Sequence, residues 1–197
     1  MRLLLGTGNE HKRREFARLL PGWQLEALGQ DVAMPPEDGE TFEANALIKA
    51  RAVAEATGRT VIAEDSGLEA DALGGAPGVR SARYAASNGQ NASDQDNLDK
   101  LRREAPPGSG LRYVCALVYL DPQSGTEQVF HGVCSGRMAS EPRGEGGFGY
   151  DPVFLPDEGP EGLTMAELAD AQKDAISHRG RAVRALRDWL QSGAAER

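Results

Sequence analysis

The chain has 197 residues, 40% of them hydrophobic, which is enough to bury the core of one domain or of two closely apposed lobes. Its formal net charge of -8 argues against a broad nucleic-acid-binding surface, which needs a stripe of basic residues. No apolar run approaches the roughly 20 residues of a membrane-spanning helix, and no secretory signal is recognisable. We therefore expect a cytoplasmic enzyme or binding protein that contacts neither nucleic acid polymers nor membranes.

The first predicted elements are a strand over residues 2–6 and a helix from about 9 to 20. They meet in the segment GTGNEHKRREF, where the strand breaks at a glycine and a helix rich in positive charge begins. Loose backbone N–H groups and the positive end of a helix dipole attract anions at such junctions. The alternative is a solvated turn whose basic residues face water, because neither common phosphate-loop pattern is matched.

A second helix is predicted from an N-cap at Thr41 to about Thr57, closed by Gly58. Asn45 and Lys49 lie four positions apart in this helix and therefore share one polar face. The buried stripe of the helix is formed by other residues, so we expect this polar face to lie elsewhere on the helix.

Two adjacent acidic residues follow in the segment TVIAEDSGLEADAL. The segment predicts a short buried strand over 61–63, with Glu64 and Asp65 at its carboxyl end, the edge of an α/β sheet where ligands collect. Successive strand residues point to opposite faces, so one acid can face a cleft while the other packs or assists. A carboxylate there suits Mg²⁺ binding or activation of a water, and the acid-rich stretch 37–43 can converge on it. The alternative is a turn acid that caps the following backbone.

The rest of the chain includes a β-hairpin, so we expect a mixed rather than a purely parallel sheet. The predicted elements are a helix over 94–104, hairpin strands LRYVCALVYL and EQVFHGVCSGRM, a glycine-rich loop GEGGFGYDPVF feeding a short strand, a helix capped by Thr164 and Glu167, and a last helix capped by Ser177 with Val183, Leu186 and Leu190 on its core face. Cys115 and Cys134 are predicted to be buried thiols rather than a disulfide or metal ligands.

Two further segments carry candidate binding residues. In GGFGYDP, glycines allow close backbone approach to a flat ligand, Phe148 and Tyr150 offer rings for stacking, and Asp151 offers a carboxylate for its edge. A loop with buried aromatic residues is the alternative. In KDAISHRG, His178 and Arg179 begin a helix, where cations oppose the dipole, so a hydrogen bond to a carbonyl or phosphate gives them a reason to be there. The combined inventory fits a nucleoside polyphosphate better than a sugar phosphate or a peptide.

Five motifs occur in order between residue 6 and about residue 185: TGNEHK, GETFEANALIKA, EDSGLEADALGGAPGVRSARYA, GGFGYDPVF and KDAISHRGRA. Together they resemble the inosine/xanthosine triphosphate pyrophosphatases, also called XTP/dITP diphosphatases. The resemblance implies an α/β fold with an elongated mixed β-sheet, flanking helices and two lobes around a central active-site cleft, all within one domain over residues 1–197. It also implies a homodimer that hydrolyses dITP, ITP and XTP, with Mg²⁺, to the monophosphate and pyrophosphate, which clears deaminated purines from the nucleotide pool.

The same resemblance implies roles for individual residues. Asp65 would bind Mg²⁺ and act as the base for the water that attacks the α-phosphorus. The expected metal ligands are Asp65, Glu64, Glu43 and Glu40. The expected substrate-binding residues are Thr7, Gly8, Asn9, Glu10, His11 and Lys12 along the triphosphate, Asn45, Lys49 and Ser66 beside the phosphates, and Phe148, Gly149, Tyr150, Asp151, Lys173, His178 and Arg179 around the base.

Hydrogen-bond matching gives this base pocket its selectivity. Hypoxanthine and xanthine present an acceptor at position 6, where adenine presents an amino donor, and the last two residues of the set, His178 when protonated and Arg179, only donate. Against ATP such a site leaves buried donors unpaired, and mismatches of this kind discriminate strongly.

The sequence departs from the family pattern at two acidic positions. Family members commonly carry Asp-Asp-Ser-Gly, whereas the first acid here is Glu64. They also commonly carry a glutamate directly before the helix asparagine, where this chain has Ala44, with Glu43 one position earlier. On a helix that shift rotates the carboxylate by about 100°. Either Glu43 substitutes from another angle, or Glu40 supplies the second carboxylate, or the metal relies on Asp65 and water.

Two other functions remain open at this level. The altered acids are compatible with a nucleotide-binding regulatory module without turnover. A pyrimidine-directed pyrophosphatase of related fold is the other alternative, and the Ser-His-Arg segment argues against it.

Overall fold

The computed structural model describes residues 2–29, 32–86 and 90–193. The helices are α1 (Glu10–Leu19), α2 (Phe42–Thr57), α3 (Asp94–Glu104), α4 (Asp170–Ile176) and α5 (His178–Gln191). The strands are β1 (Arg2–Gly6), β2 (Gln24–Ala27), β3 (Val61–Ala70), β4 (Gly110–Asp121), β5 (Thr126–Met138) and β6 (Phe154–Pro156). Short 3₁₀ helices cover Asp71–Leu73, Gly78–Arg83 and Asp151–Val153.

The six strands form one mixed sheet in the order β2-β1-β3-β4-β5-β6. Strand β1 is parallel to both β2 and β3, whereas β6 is antiparallel to β5. Strands β4 and β5 are neighbours joined by only four residues, a connection that a hairpin permits and a parallel crossover does not. The predicted α/β class and the predicted mixed sheet are confirmed.

Helix α2 has the predicted bounds because its ends carry the expected caps. The Thr41 hydroxyl accepts a hydrogen bond from the Ala44 backbone N–H at 3.1 Å, and Gly58 closes the helix with a φ of 65° in the left-handed region. Apolar residues of α2 are buried along one side, and Asn45 and Lys49 are buried with them.

The chain divides into two compact units, each with its own hydrophobic core. Unit 1 comprises Met1–Asp65, Cys115–Gly132 and Arg179–Arg197, and unit 2 comprises Ser66–Val114 and Val133–His178. The core of unit 1 includes Leu3, Leu5, Phe16, Ile62, Leu117, Val183 and Leu186. The core of unit 2 includes Leu68, Leu98, Leu101, Tyr113, Val153, Phe154 and Met165. Unit 1 therefore buries the apolar faces of β1, α1 and α5, and unit 2 buries that of α3.

Two predictions for local structure are wrong. Strand β3 does not end at residue 63 but continues through both acids to Ala70, since Ser66 and Gly67 extend the strand instead of turning it. Thr164 and Glu167 do not cap a helix: the Glu167 carboxylate accepts from the Thr164 N–H at 2.8 Å within a turn, and α4 begins only at Asp170.

The predictions for the two thiols and for the core face of the last helix are confirmed. Both cysteines are free and buried, as expected. Val183 and Leu186 are buried in α5, with Leu190 packed partly against them. Within the part of the chain that the structure describes, no helix has the length and apolar character needed to cross a membrane.

Candidate active site

Asp65 is the centre of a buried polar cluster in unit 1. Its Oδ1 atom accepts a hydrogen bond from Lys49 Nζ at 3.0 Å, and its Oδ2 atom accepts one from Asn45 Nδ2 at 3.2 Å. Both donors lie on the face of α2 that their four-residue spacing predicts. Lys49 Nζ also lies 3.1 Å from Glu37 Oε1, so one ammonium group bridges two carboxylates.

The register of the sheet brings the acids to this place. Strand β1 runs parallel to β3 and its last residue, Gly6, pairs with Ala63. Glu64 and Asp65 therefore come directly after the last paired residue, where β1 has ended and β3 continues. This is the edge at which α/β sheets bind ligands, although here the acids lie inside a long strand rather than at its end.

The charges around Asp65 set its protonation. Burial lowers the pKa of Lys49, but the Asp65 and Glu37 carboxylates outweigh it, so the net direction is upward and the ammonium stays protonated. Burial raises the pKa of Asp65, and Lys49 and Lys12 oppose that rise. The Glu37 carboxylate also raises it, and the net direction is upward. A carboxyl group with a raised pKa is better matched to taking a proton near neutral pH.

Glu64 lies on the opposite face of β3, as strand alternation predicts, within a second group of charged residues in unit 1. Its Oε1 atom lies 2.7 Å from Lys12 Nζ and 3.1 Å from Arg179 Nη2. Its Oε2 atom accepts from the Cys115 thiol at 3.4 Å, and Arg179 Nη1 pairs with Glu15. Burial works against ionisation, yet Arg179 and Lys12 hold the pKa of Glu64 well below its usual range.

The junction between β1 and α1 is a capped helix start. The Asn9 side chain accepts from the Lys12 backbone N–H at 3.1 Å, and the Thr7 hydroxyl accepts from the Asn9 N–H at 3.2 Å. Glu10 pairs with Arg13 on the surface. Thr7 is buried, while residues 8–11 are exposed. The expected phosphate-binding segment is therefore an accessible helix N-terminus with one lysine directed to Glu64.

Asp151 organises the second group of candidate residues, which lies in unit 2. Its Oδ2 atom accepts from Lys173 Nζ at 2.6 Å and from the Phe148 backbone N–H at 2.9 Å. Its Oδ1 atom accepts from the Tyr113 hydroxyl at 3.0 Å. Lys173 Nζ lies 5.2 Å from the centroid of the Phe148 ring. The Asp151 carboxylate, predicted to meet the edge of a base, accepts hydrogen bonds from Tyr113, Phe148 and Lys173 and orients these residues.

The glycine-rich loop before Asp151 is tied down at two further points. The Gly149 N–H donates to Asp94 Oδ2 at 2.7 Å, and the Tyr150 hydroxyl donates to the Ser81 carbonyl at 2.8 Å. At Gly147, with a φ of 70°, an added Cβ atom would lie 2.0 Å from Asp151 Oδ2. Only glycine fits there, which accounts for part of the glycine run.

His178 is the first residue of α5 and belongs to unit 2. Its imidazole is 6% exposed and stacks on the Tyr113 ring, with 4.7 Å between centroids and 11° between planes. Arg179, the next residue, belongs to unit 1 and is 1% exposed, with its guanidinium directed to Glu15 and Glu64. The expected contact of Arg179 with the 6-oxo group stays a prediction.

The expected metal ligands Asp65, Glu64, Glu43 and Glu40 stay a prediction, and the structure shows the contacts that these acids make. Glu64 is occupied by Lys12 and Arg179, Glu43 lies 3.2 Å from His131 Nε2, and Glu40 is exposed. The acid that joins Asp65 is Glu37, through Lys49. Among residues 2–29, 32–86 and 90–193, no group of three or more His, Cys, Asp or Glu side chains is arranged to hold a metal ion.

Comparison with known proteins identifies the family of this chain. The model of the Ham1 family matches residues 3–189. The chain belongs to the Ham1 family. The dITP/XTP pyrophosphatase of Shigella flexneri is 46% identical over 98% of this chain and 99% of its own length. That of Cutibacterium acnes is 45% identical over 94% of each chain.

Two solved structures agree with this fold. The HAM1 protein of Coxiella burnetii matches with a TM-score of 0.82 and 36% identity, over 98% of this chain and 99% of that one. The Mycobacterium abscessus nucleoside-triphosphatase, also described as a dITP/XTP pyrophosphatase, matches with a TM-score of 0.70 and 41% identity, over 94% and 98% of the two chains.

Three residues of these clusters were not singled out from the sequence. Glu37 lies in a loop, and only its place in an acid-rich stretch pointed to it. Tyr113 reads as an ordinary strand residue, and no local signal marked it. Glu15 follows two arginines on α1, and its partner Arg179 is 164 positions away, so spacing gave no indication of the pair.

Proposed function

We propose that this Ham1 protein hydrolyses the noncanonical purine nucleotides dITP, ITP and XTP to the monophosphate and pyrophosphate. The observation that carries the proposal is 46% identity with dITP/XTP pyrophosphatases along almost the whole of both chains. The buried Asp65 cluster and the Asp151 cluster support it, because one offers a base among cations and the other offers donors and rings.

We assign Mg²⁺ as the metal and Asp65 and Glu37 as the residues that would hold it. Their carboxylates already converge on one cation, the Lys49 ammonium, within 3.1 Å. Mg²⁺ is usually held by one or two carboxylates together with substrate phosphate oxygens, so this pair fits. When bound, the ion would neutralise charge on the phosphates. Glu64 and Glu43 are left out of the proposed site because they pair with residues other than Lys49, and Glu40 is left out because it is exposed.

The residues of unit 1 are proposed to carry the chemical step. Asp65 takes a proton from the water that attacks the α-phosphorus, the bond from that phosphorus to the bridging oxygen breaks, and pyrophosphate leaves. Lys49 and Asn45 orient the Asp65 carboxylate through its two oxygens. Lys12 offers a positive charge to the triphosphate, and the N-terminus of α1 offers the positive end of the helix dipole. The exposed residues 8–11 offer backbone N–H groups as hydrogen-bond donors.

The residues of unit 2 are proposed to bind the base. The Phe148 ring offers a stacking surface, and Lys173 and His178 offer donors for the acceptor at position 6. Gly149 and Tyr150 shape the loop, and Ser66 contacts the substrate. The same donors meet the amino group of adenine unfavourably, which gives selection against ATP.

The proposal extends to the setting of the enzyme. We propose that residues 1–197 act as one pyrophosphatase domain, as a homodimer in the cytoplasm, with no nucleic acid polymer or membrane as partner. Light scattering coupled to size exclusion tests the dimer: a mass near twice 21.0 kDa agrees with it, and a mass of 21.0 kDa contradicts it.

The Asp65→Asn variant tests the proposed base. It keeps the size of the side chain and one oxygen that can accept from α2, but it replaces the other oxygen with an NH₂ group and removes the proton acceptor. The kcat for dITP is therefore expected to fall by about 10²- to 10⁴-fold. Equilibrium binding of dITP should remain measurable.

The matched control is Asp38→Asn, which changes an exposed acid in the same unit. It should leave kcat unchanged. An Asp65→Asn variant with wild-type kcat contradicts the assignment, whereas a wild-type protein that binds dITP and releases no pyrophosphate is a nucleotide-binding module instead.

A further inference from the structure

Tyr113 on β4 contacts two residues of the proposed base site at once. Its hydroxyl donates to Asp151 Oδ1 at 3.0 Å, while its ring stacks nearly parallel on the His178 imidazole. The Tyr113 ring also contacts the Phe154 ring, with 4.6 Å between centroids and 30° between planes. The side chain belongs to the core of unit 2 and is 7% exposed.

The hydroxyl completes the set of donors around Asp151. Lys173 Nζ and the Phe148 N–H both donate to Oδ2, which leaves Oδ1 for Tyr113. A carboxylate held at both oxygens cannot rotate without breaking a buried hydrogen bond. Lys173 Nζ and the Phe148 N–H are held by the same carboxylate. By fixing Asp151, the Tyr113 hydroxyl therefore also fixes the Lys173 ammonium and the loop that carries the Phe148 ring.

The ring restrains His178 in a different way. Stacking at 11° keeps the imidazole close to one plane, so its nitrogen atoms stay within that plane. Phe154 is 0% exposed and packs against Tyr113, so the Tyr113 ring has no room to swing away. A hydrogen-bond donor that reads a base needs such a fixed direction, because misplacement weakens discrimination.

We propose that Tyr113 is a positioning residue that sets base selectivity, through its hydroxyl on Asp151 and Lys173 and through its ring on His178. The inference rests on the proposed function, because it assigns selectivity to the base site described there. It adds a residue with no substrate contact of its own. A tyrosine is required in full, since phenylalanine supplies only the ring and a small aliphatic side chain supplies neither contact.

Two variants separate the two contacts. Tyr113→Phe removes only the hydroxyl and keeps the stack on His178, whereas Tyr113→Leu removes both. The matched control is Tyr119→Phe, which deletes a hydroxyl from a buried tyrosine of the same strand within unit 1. Steady-state pyrophosphate release from dITP and from ATP gives kcat, KM and their ratio for each, and thermal unfolding confirms that each variant is folded.

The expected result is a graded loss of selectivity. Tyr113→Phe raises KM for dITP about five-fold, as one lost hydrogen bond predicts, with kcat and the KM for ATP little changed, so that the preference for dITP over ATP falls about five-fold. Tyr113→Leu lowers the preference for dITP over ATP by about a further ten-fold, as loss of an aromatic contact predicts. Tyr119→Phe leaves both quantities at the wild-type values.

The inference is overturned if Tyr113→Phe, folded, has the KM and the dITP-to-ATP preference of Tyr119→Phe. This comparison is decisive even where Tyr113→Leu fails to fold. To separate it from the proposed function, the same variants are also titrated with dITP in the Asp65→Asn background. If the wild type releases no pyrophosphate, the proposed function fails. Even then, dITP binding that is five-fold weaker with Tyr113→Phe than without it supports the role of Tyr113.

Discussion

Removing the charge of Glu15 is expected to destabilise the protein far more than its place on a surface helix suggests. Glu15 is 4% exposed and pairs with Arg179, which is 1% exposed and also faces Glu64. In Glu15→Gln the guanidinium keeps Glu64, but Glu64 already shares its charge with Lys12. The charge of the buried Arg179 guanidinium is then only partly neutralised, and a buried charge without a full counter-charge strongly destabilises the folded protein.

The expected loss is about 3 kcal/mol in the free energy of unfolding, the lower end of the range for breaking a buried pair, because glutamine keeps a hydrogen-bond acceptor. For a chain of this length that corresponds to a fall of about 6 to 12 °C in Tm. Urea unfolding followed by circular dichroism measures the first quantity, and calorimetry measures the second.

Glu10→Gln is the control on the same helix. Glu10 pairs with Arg13, and both side chains are more than one third exposed, so its removal should cost at most about 1 kcal/mol. If Glu15→Gln costs no more than Glu10→Gln, the buried ionic cluster does not stabilise unit 1 in the way proposed.

The remaining predictions concern the loop around Asp151 and the two thiols. Gly147→Ala places a methyl group 2.0 Å from Asp151 Oδ2 and should raise KM for dITP at least ten-fold, whereas Gly149→Ala, with nothing within 4 Å, adds only backbone strain of about 1 to 2 kcal/mol. Equal KM values for the two variants would contradict this. Cys115 and Cys134 should resist a thiol reagent in the native protein and react fully in guanidinium chloride, because both are buried. Burial, with Glu64 acting in the same direction, also raises the pKa of Cys115, so fast native labelling would refute its placement.

Periodicity in the sequence predicted the parts of the site that belong to regular elements. The four-residue spacing of Asn45 and Lys49 gave a shared helix face, and both meet Asp65 there. Strand alternation separated Glu64 from Asp65 onto opposite faces. These results depend only on the repeat of a helix and of a strand, which local sequence specifies.

Other features depend on contacts between distant residues, which local patterns do not encode. Ser66 and Gly67 favour a turn by composition, yet pairing within the sheet keeps them in β3. Glu37 lies in a loop, and the fold of that loop brings it to Lys49. Glu15 and Arg179 form an ion pair although they are far apart in the sequence. The sequence marked Glu64 and Glu43 as acids that can serve a metal site, but it gave no indication of their partners, which are Lys12 for Glu64 and His131 for Glu43.

The most direct test of the proposed function is pyrophosphate release from dITP, ITP, XTP, GTP, ATP and dTTP, each with Mg²⁺ and with EDTA. Identification of the products separates cleavage at the α-phosphorus, which yields monophosphate and pyrophosphate, from removal of a terminal phosphate. We predict Mg²⁺-dependent release of pyrophosphate from dITP, ITP and XTP, with much slower release from GTP, ATP and dTTP. Preferred hydrolysis of dTTP, release of orthophosphate alone or turnover unaffected by EDTA would contradict it.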